Sequence, residues 1–492
     1  MRLRKLQFVA FSILFLTQLL FLGTYVEAAN SETGYLEETM RFVREKYVED
    51  INERDLMQST LQGIFNGLDK YTTFFTVDEA EAYLADIEGV YAGIGTVLLN
   101  YGDFIVVYDV LPNSPAERGG LMRGDRITAV DGMSCVGIGL DTAIDMIKGP
   151  AGTKVFLEII RENQKYGVDV EINREVIKIN PIEHNIIDGV GYIKITIFND
   201  NVDEYFRSAL QVMNKANIKK LILDLRDNPG GEAGEAVAVA EHLVPKGLIT
   251  KLDFKSEQTE DLSFYSKLEE QNFELVVLVN SLTASASEIL AGAIQDTEAG
   301  TLIGTRTYGK SKVQNIFPML TPEAYEKYKN KFGITTVNAF DLIDSYEEEI
   351  SYDDIIGWVK ITTGEYFTPL GRRIDRLGLV PDIAIEDYSL VNGIDIHDID
   401  KLRNKVILEL QSEDIDVINA EKILSILGYK VEKPDMCLDS NTAKIIKEYQ
   451  QKKGIGLTSK LDKYTQVALN QDLERLILEI DKQLGKAVEL LN

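Results

Sequence analysis

The sequence predicts an α/β fold: a core of alternating strands and helices, a β-rich insertion, N-terminal helices and a small C-terminal helical domain. Three observations carry this. After Arg174 strand-like and helix-like segments alternate. Between Tyr91 and Arg161 short strands are punctuated by Gly and Pro. Residues 35–88 instead repeat apolar side chains at helical spacing, and 398–470 reads as a small helical unit. A length of 492 residues suits about three domains. With 45% apolar and 27% charged residues, the composition excludes a mainly disordered chain. The net charge of −27 repels phosphate, so no nucleic-acid partner is expected. Cys135 and Cys437 stand alone, and His184, His242 and His397 share no ligand spacing. No disulfide framework, metal site or cofactor is therefore expected.

The elements follow in order. Arg2, Arg4 and Lys5 precede an apolar run from Phe8 to Tyr25, and Val26-Glu27-Ala28 supplies the small residues that signal peptidase reads. Residues 1–29 are read as a signal peptide, cleaved after Ala28 or kept as a membrane anchor, since the run approaches the ~20 residues that span a bilayer. The remainder is expected in an exported, extracytoplasmic location, with stability resting on core burial. Residues 30–88 form a helical region, with Leu36, Met40, Val43 and Tyr47, then Leu56, Leu61, Ile64 and Leu68, at helical spacing; Asp69–Thr73 breaks it. Residues 89–173 hold strands over 95–99, 104–110, 126–130 and 154–161 and one helix over 140–148. Residues 174–390 form the α/β core, with strands over 191–196, 220–225 and 275–279 and helices over 203–215, 233–243 and 285–296. Within it, 321–357 carries nine Asp/Glu against three Lys and reads as an acidic insertion, a solvated surface loop. After the helical domain at 398–470, residues 471–492 place Leu473, Leu476, Ile480, Leu484, Ala487 and Leu491 on one helical stripe. That stripe needs a covering surface, in cis or on a second subunit.

Chemistry concentrates in two short stretches. The apolar strand 275–279 runs through Asn280-Ser281-Leu282-Thr283-Ala284-Ser285-Ala286-Ser287-Glu288 into a helix. A Ser at a strand-to-helix turn faces substrate, and helix N-terminal N–H groups stabilise developing negative charge. The same residues also fit a plain capping box, Ser285 with Glu288. Attack on a carbonyl needs a base, and no His stands in a motif that suggests a Ser-His-Asp triad. A Lys serves if it is neutral. That requires its pKa to fall from about 10.4 to about 7–8, roughly 4 kcal/mol of desolvation and neighbour effects. The run 302–314, with Lys310 and Lys312, is a source of such a base.

Together the two stretches resemble the C-terminal processing peptidases, or tail-specific proteases. Thr283-Ala284-Ser285-Ala286-Ser287-Glu288-Ile289-Leu290-Ala291-Gly292, then Tyr308-Gly309-Lys310 and Val313-Gln314, keep the family's Ser-to-Lys gap of 25 and Lys-to-Gln gap of four. Leu223-Asp224-Leu225-Arg226-Asp227-Asn228-Pro229-Gly230-Gly231, Ser114-Pro115-Ala116, Tyr91-Ala92-Gly93-Ile94-Gly95 and Tyr366-Phe367-Thr368-Pro369 extend the likeness over about residues 35–470. The resemblance implies a crotonase-like protease core. It also implies Ser285 as nucleophile and Lys310 as general base oriented by Gln314. The oxyanion hole would be the N–H of Ala286 with one from the Pro229-Gly230-Gly231 turn, Gly231 in preference to Gly230. The family commonly reads Gly-Lys-Gly-Thr-Val-Gln; here Ser311 and Lys312 replace the Gly-Thr, and the extra amine of Lys312 is expected to be exposed.

Residues 89–173 resemble a PDZ domain. A PDZ groove adds a peptide as a strand and captures its terminal carboxylate with loop N–H groups. The resemblance assigns Gly93, Ile94 and Gly95 to that loop and Leu140, Ile144 and Ile147 to the groove lining, which favours apolar C-termini. Arg174, at the junction with the core, is expected to couple groove occupancy to assembly of the active site. Residues 417–469 resemble a peptidoglycan-binding helical repeat, with a structural or dimer-forming role equally open. The expected protein is thus a bacterial extracytoplasmic serine endopeptidase of the Ser/Lys type, PDZ-directed to protein or peptide substrates with free apolar C-termini. A homodimer, peptidoglycan as a partner and regulatory processing of membrane-anchored proteins complete the expectation. A catalytically silent PDZ scaffold is opposed by the joint presence of Ser285, Lys310 and Gln314. A crotonase-type acyl-handling enzyme is opposed by the export signal.

Overall fold

The computed structural model describes residues 32–161, 167–256 and 259–492. The signal-peptide reading of residues 1–29 lies outside the described residues. Among the described residues no helix is long and apolar enough to cross a membrane. The described residues divide into two compact units: those up to Glu88, with Thr250–Ser263 and Ser311–Phe367, form one; those of Gly89–Ile249, Phe264–Lys310 and Thr368–Asn492 form the other.

The first unit is built on the 13-residue strand Ile355–Phe367. Lys312–Leu320 runs antiparallel along it, Thr73–Phe75 pairs with residues 358–360, and residues 251–254 pair with 364–367. A register shift between Met319 and Leu320 lets Ile355 and Trp358 face one apolar cluster while Ile356 and Val359 face another. Gly357 admits no side chain, because a Cβ there would lie 2.3 Å from the Phe75 carbonyl oxygen. The stretch 321–357 corrects the surface-loop expectation. It forms helices Pro322–Phe332 and Ala339–Tyr346, and the long strand begins at its end. Thr321 and Asn338 cap the two helices, and Ala324, Tyr328, Phe340, Leu342 and Ile343 are buried with Trp358. The acidic residues lie between these apolar positions, so net charge marked the outer face and concealed the inner one. Lys312 is likewise not a free surface amine. It is about one-quarter exposed and ion-paired with Glu365.

In the second unit a six-stranded sheet runs in the order Ile182–Ile187, Val190–Ile195, Lys220–Asp224, Glu274–Val279, Thr301–Gly304, Ile383–Ala384. Only the first pair is antiparallel. The central strands are continuous apolar runs because both faces are covered. Helices Val202–Lys215, Ala233–Leu243 and Ala286–Asp296 follow the strands in the expected alternation. The expected stripe at residues 471–492 is not one helix. Lys463–Ile480 ends at Asp481, whose side chain caps a new helix, Lys482–Leu491. Leu473 and Leu476 pack into the helical domain, whereas Leu484, Ala487, Val488 and Leu491 pack on Val190, Ile222, Val276, Leu278 and Ile303 of the sheet. The stripe is covered in cis.

Residues 89–173 form an antiparallel sheet in the order Thr96–Tyr101, Phe104–Val110, Arg126–Val130, Lys154–Ile160, Val168–Asn173, with helix Leu140–Ile147 against it. The strand Val90–Gly93, which the sequence does not mark, pairs antiparallel with Glu175–Lys178 where the chain enters and leaves this module. The helical domain consists of Ile415–Ile426, Ser440–Lys453 and Lys463–Ile480, capped by Asp414, Asp439 and Asp462 respectively. It lies on the outer face of the β-rich module. Ile415 and Met436 cover Val106, Leu99 and Tyr101, while Arg126 pairs with Glu413 and Tyr108 donates to Asp400.

Candidate active site

The strand Glu274–Val279 ends at Asn280, and the chain turns sharply into helix Ala286–Asp296. Two bonds fix the turn from below: Thr283 Oγ1 donates to the Leu225 carbonyl at 2.8 Å, and Ala284 N–H donates to the Asn228 carbonyl at 3.0 Å. Ser285 then adopts φ 58°, ψ −119°. A non-glycine residue in this region costs about 1–3 kcal/mol and persists only where its surroundings enforce it. The conformation lifts Ser285 into a partly exposed position while its neighbours Ala284 and Ala286 stay buried. This is the geometry of a strained strand-to-helix turn that presents a hydroxyl.

Glu288 enforces it. Its carboxylate is fully buried and accepts four hydrogen bonds. Oε2 accepts from the Ser285 N–H at 3.0 Å and from the Lys310 N–H at 2.9 Å. Oε1 accepts from the Gly309 N–H at 2.8 Å and from the Thr307 hydroxyl. Because one oxygen serves both main chains, Ser285 and Lys310, 25 positions apart in sequence, come within about 6 Å of each other at the backbone. The Lys310 loop is held from its other side as well. Arg376 N–H donates to the Gly309 carbonyl at 2.8 Å, and Tyr308 N–H to the Thr283 carbonyl at 3.0 Å. Glycine is required at 309, with φ 82°, because a Cβ would lie 2.7 Å from Gly378 N. In the sequence Glu288 is visible only as a helix-cap partner; its bonds to residues 307–310 depend on a return of the chain that no local pattern announces.

The Pro229-Gly230-Gly231 turn lies against the same place. A Cβ on Gly230 would meet Ser285 Cβ at 2.7 Å and Ala286 N at 2.9 Å, so the turn approaches the Ser285 backbone as closely as two chains can. Gly230 is buried, and its N–H is committed to Asn228 Oδ1 at 2.9 Å; Gly231 is exposed. The residues expected at the site therefore fall into three groups. Ser285, Ala286, Gly230, Gly231 and Lys310 meet in one unit. Gln314 belongs to the other, on the strand Lys312–Leu320, where its Nε2 is buried without a hydrogen-bond partner among the described residues. The groove residues lie in the β-rich module.

Within that module Thr96–Tyr101 is the sheet's edge strand, and Gly95 turns into it with φ 80°. Gly93 is instead the last residue of strand Val90–Gly93. One groove expectation is corrected: Ile147 is 4% exposed, so its side chain belongs to the module's core, while Leu140 and Ile144 are half-buried on the same helix. The Ile94 side chain is buried in that core too, which leaves its main chain to the loop. Arg174 is buried in the module too. Its guanidinium donates to the Ile147 carbonyl at 2.7 Å, the Met146 carbonyl at 3.2 Å and the Lys154 carbonyl at 2.7 Å. It closes the C-terminus of helix Leu140–Ile147.

Comparisons with known proteins agree with this architecture. The family described as Peptidase family S41 matches residues 189–385, and PDZ domain matches residues 106–161. The carboxy-terminal-processing protease of Bartonella bacilliformis is 28% identical over 396 residues, 78% of this chain and 83% of its own. The carboxy-terminal processing protease CtpA of Bacillus subtilis is 28% identical over 467 residues, 94% of this chain and 91% of its own. A probable CtpA-like serine protease of Staphylococcus aureus is 27% identical over 462 residues, 93% and 84% respectively. With an S41 core, a PDZ module and relatives matched nearly end to end, the chain belongs to the C-terminal processing peptidases and is a protease.

Proposed function

We propose that the protein is an extracytoplasmic serine endopeptidase in which Ser285 is the nucleophile and Lys310 the general base. One observation carries the reading: the Glu288 carboxylate binds the main chains of both residues while Ser285 is held at φ 58°. In the first step the neutral Lys310 amine takes the proton from Ser285 Oγ as the oxygen attacks the scissile carbonyl. The N–H groups of Ala286 and Gly231 receive the oxyanion; prior use of the Gly230 N–H favours Gly231. Lys310 then passes the proton to the departing amine. Water, deprotonated by the Lys310 amine, then attacks the acyl ester, and Lys310 returns that proton to Ser285 Oγ as the ester C–O bond breaks and the acid leaves. Gln314, four residues after Lys310, is assigned to orient the amine. Each oxyanion donor of this kind is worth about 10²–10³ in rate.

Substrates are proposed to enter by their C-termini, adding as a strand to the free edge of Thr96–Tyr101, with the carboxylate at the N–H groups of residues 93–95 and an apolar side chain near Ile144. Arg174 links the end of the groove helix to the strand leading out of the module, which supports a coupling role between groove and core. The extracytoplasmic location rests on the residue 1–28 pattern, and processing of membrane-anchored proteins would follow from it. The test is turnover of an unfolded protein bearing a free apolar tail. Ser285→Ala and Lys310→Ala should each lose activity by about four orders of magnitude with melting temperature preserved. Retained turnover in either variant overturns the dyad. In the same assay Arg174→Ala should lose its response to the tail, and unchanged kinetics would remove its coupling role. Protection of the protein from external protease in intact cells would refute the location.

A further inference from the structure

A charged cluster behind the Gly230 turn is buried and has no part in the chemistry above. Arg226 is 5% exposed and lies between two carboxylates that are 1% and 0% exposed, Asp224 and Asp481. It grips Asp224 in a fork, Nε to Oδ1 at 3.0 Å and Nη2 to Oδ2 at 2.6 Å. Its remaining nitrogen, Nη1, reaches Asp481 Oδ2 at 2.8 Å and Gln483 Oε1 at 3.3 Å. Tyr192 donates to Asp224 at 2.8 Å, and His397 Nε2 lies 3.0 Å from Asp481. Desolvating three charges costs several kcal/mol each, and an apolar cluster of the same volume is often more stable. What an ionic cluster supplies instead is one fixed geometry.

That geometry leads to Ser285. Arg226 N–H donates to Asp224 Oδ1 at 3.0 Å, so side chain and main chain are fixed together. The next residue, Asp227, exchanges bonds with Asn280 at 3.0 and 2.8 Å. Asn228 follows. Its carbonyl accepts from Ala284 N–H and Ser287 Oγ, and its side chain accepts from Gly230 N–H. The register of Gly230 and Gly231 against Ser285 is therefore set from Arg226, and Arg226 is set in part by a residue 255 positions later. Asp481 has its own anchor. Its Oδ1 accepts from Leu484 N–H at 3.0 Å and so caps the last helix, which is packed on the sheet by Leu484, Ala487, Val488 and Leu491.

We propose that Asp481 is a positioning residue for proteolysis: through Arg226 it holds the Asp227–Gly231 turn in register with Ser285, so the C-terminal helix is part of the active site's support. The proposal rests on the reading of Gly231 as an oxyanion donor. The test compares Asp481→Asn with Val488→Ala in the full-length protein; Val488→Ala loosens the same helix without touching Arg226. Positioning requires kcat of Asp481→Asn to fall 10- to 100-fold with KM within twofold. It also requires amide exchange of residues 226–231 to speed at least tenfold while 286–294 stays protected. Val488→Ala, at equal or larger loss of melting temperature, should keep kcat within threefold. Equal loss of kcat in both variants, or unchanged exchange at 226–231 in Asp481→Asn, overturns the proposal. If Asp481→Asn does not fold, Asp481→Glu is measured in its place under the same criteria. The exchange readout is independent of the dyad: Ser285→Ala that stays active would sink the dyad, and faster exchange at 226–231 would still report the brace.

Discussion

Two sets of helices in this molecule have similar apolar spacing and opposite fates. In Ala286–Asp296 nine consecutive residues, Ala286 to Ile294, are buried. In Glu32–Lys46 and Glu53–Asn66 none of the residues whose side chains are described is buried, and Tyr35, Leu36, Phe42 and Ile64 are 76%, 46%, 61% and 48% exposed. The first helix is fixed by its own chain on all sides, which is what a strained residue such as Ser285 requires. Met57, Leu61 and Phe65 give the second of the N-terminal helices an inner face, but the pair leaves its remaining apolar surface to water. We propose that a second copy of the chain covers it, which is the homodimer expected from the sequence. The contrast teaches that periodicity reports an apolar face and is silent about what covers it.

The comparison breaks first at Glu288. Replacing it with Gln removes the charge that four donors share and turns an amide N–H₂ toward them. We expect a loss of about 2–4 kcal/mol and at least 100-fold in kcat, read by chemical denaturation and steady-state proteolysis. Wild-type activity in Glu288→Gln would mean that Ser285 keeps its turn without the shared carboxylate.

Where burial outweighs the bonds that oppose it the signature should differ, and Glu421 of the helical domain is such a case. Burial pushes its carboxyl up to about 7, opposed by bonds from Thr442 and the Asp435 N–H and reinforced by the charges of Asp435 and Asp439. The folded state thus holds the proton more tightly than the unfolded chain. Stability is greatest below the unfolded value near 4.3 and declines as pH rises through 7, by roughly 3 kcal/mol in full. Glu421→Gln should flatten that decline between pH 5 and 8 in thermal scans. An unchanged pH slope would assign the effect elsewhere.

The smallest change in stability belongs to the exposed helices. Phe42→Asp should leave the unfolding free energy per chain, extrapolated to low concentration, within about 0.5 kcal/mol. It should convert a dimer to a monomer in sedimentation experiments, and an unchanged mass would show that these helices do not form the subunit contact.

The same contrast explains what was legible. The parallel strands of the core were readable because strands covered on both faces are unbroken apolar runs bounded by Gly, Asn or Asp, as in Glu274–Val279 followed by Asn280. The Ser285 and Lys310 stretches were readable by motif and spacing. The segment 321–357 reads as a surface loop because nine carboxylates outweigh Tyr328, Phe340, Leu342 and Ile343 in a composition count yet not in a packed core. The strands Val90–Gly93 and Glu175–Lys178 are too short and mixed to stand out before their pairing is known. Arg226 with Asp481, and Glu288 with Lys310, are relations between distant positions, and no local pattern contains them.

The short ribbon of Val90–Gly93 with Glu175–Lys178 has one further consequence. It brings the two ends of an 81-residue excursion, residues 94–174, side by side, so the host fold pays little loop-closure entropy whatever lies between them. Recognition is in that sense a cassette. Exchanging it for another module whose termini meet at strand-pair spacing would redirect the enzyme to a different tail while the path of the peptidase chain stays the same.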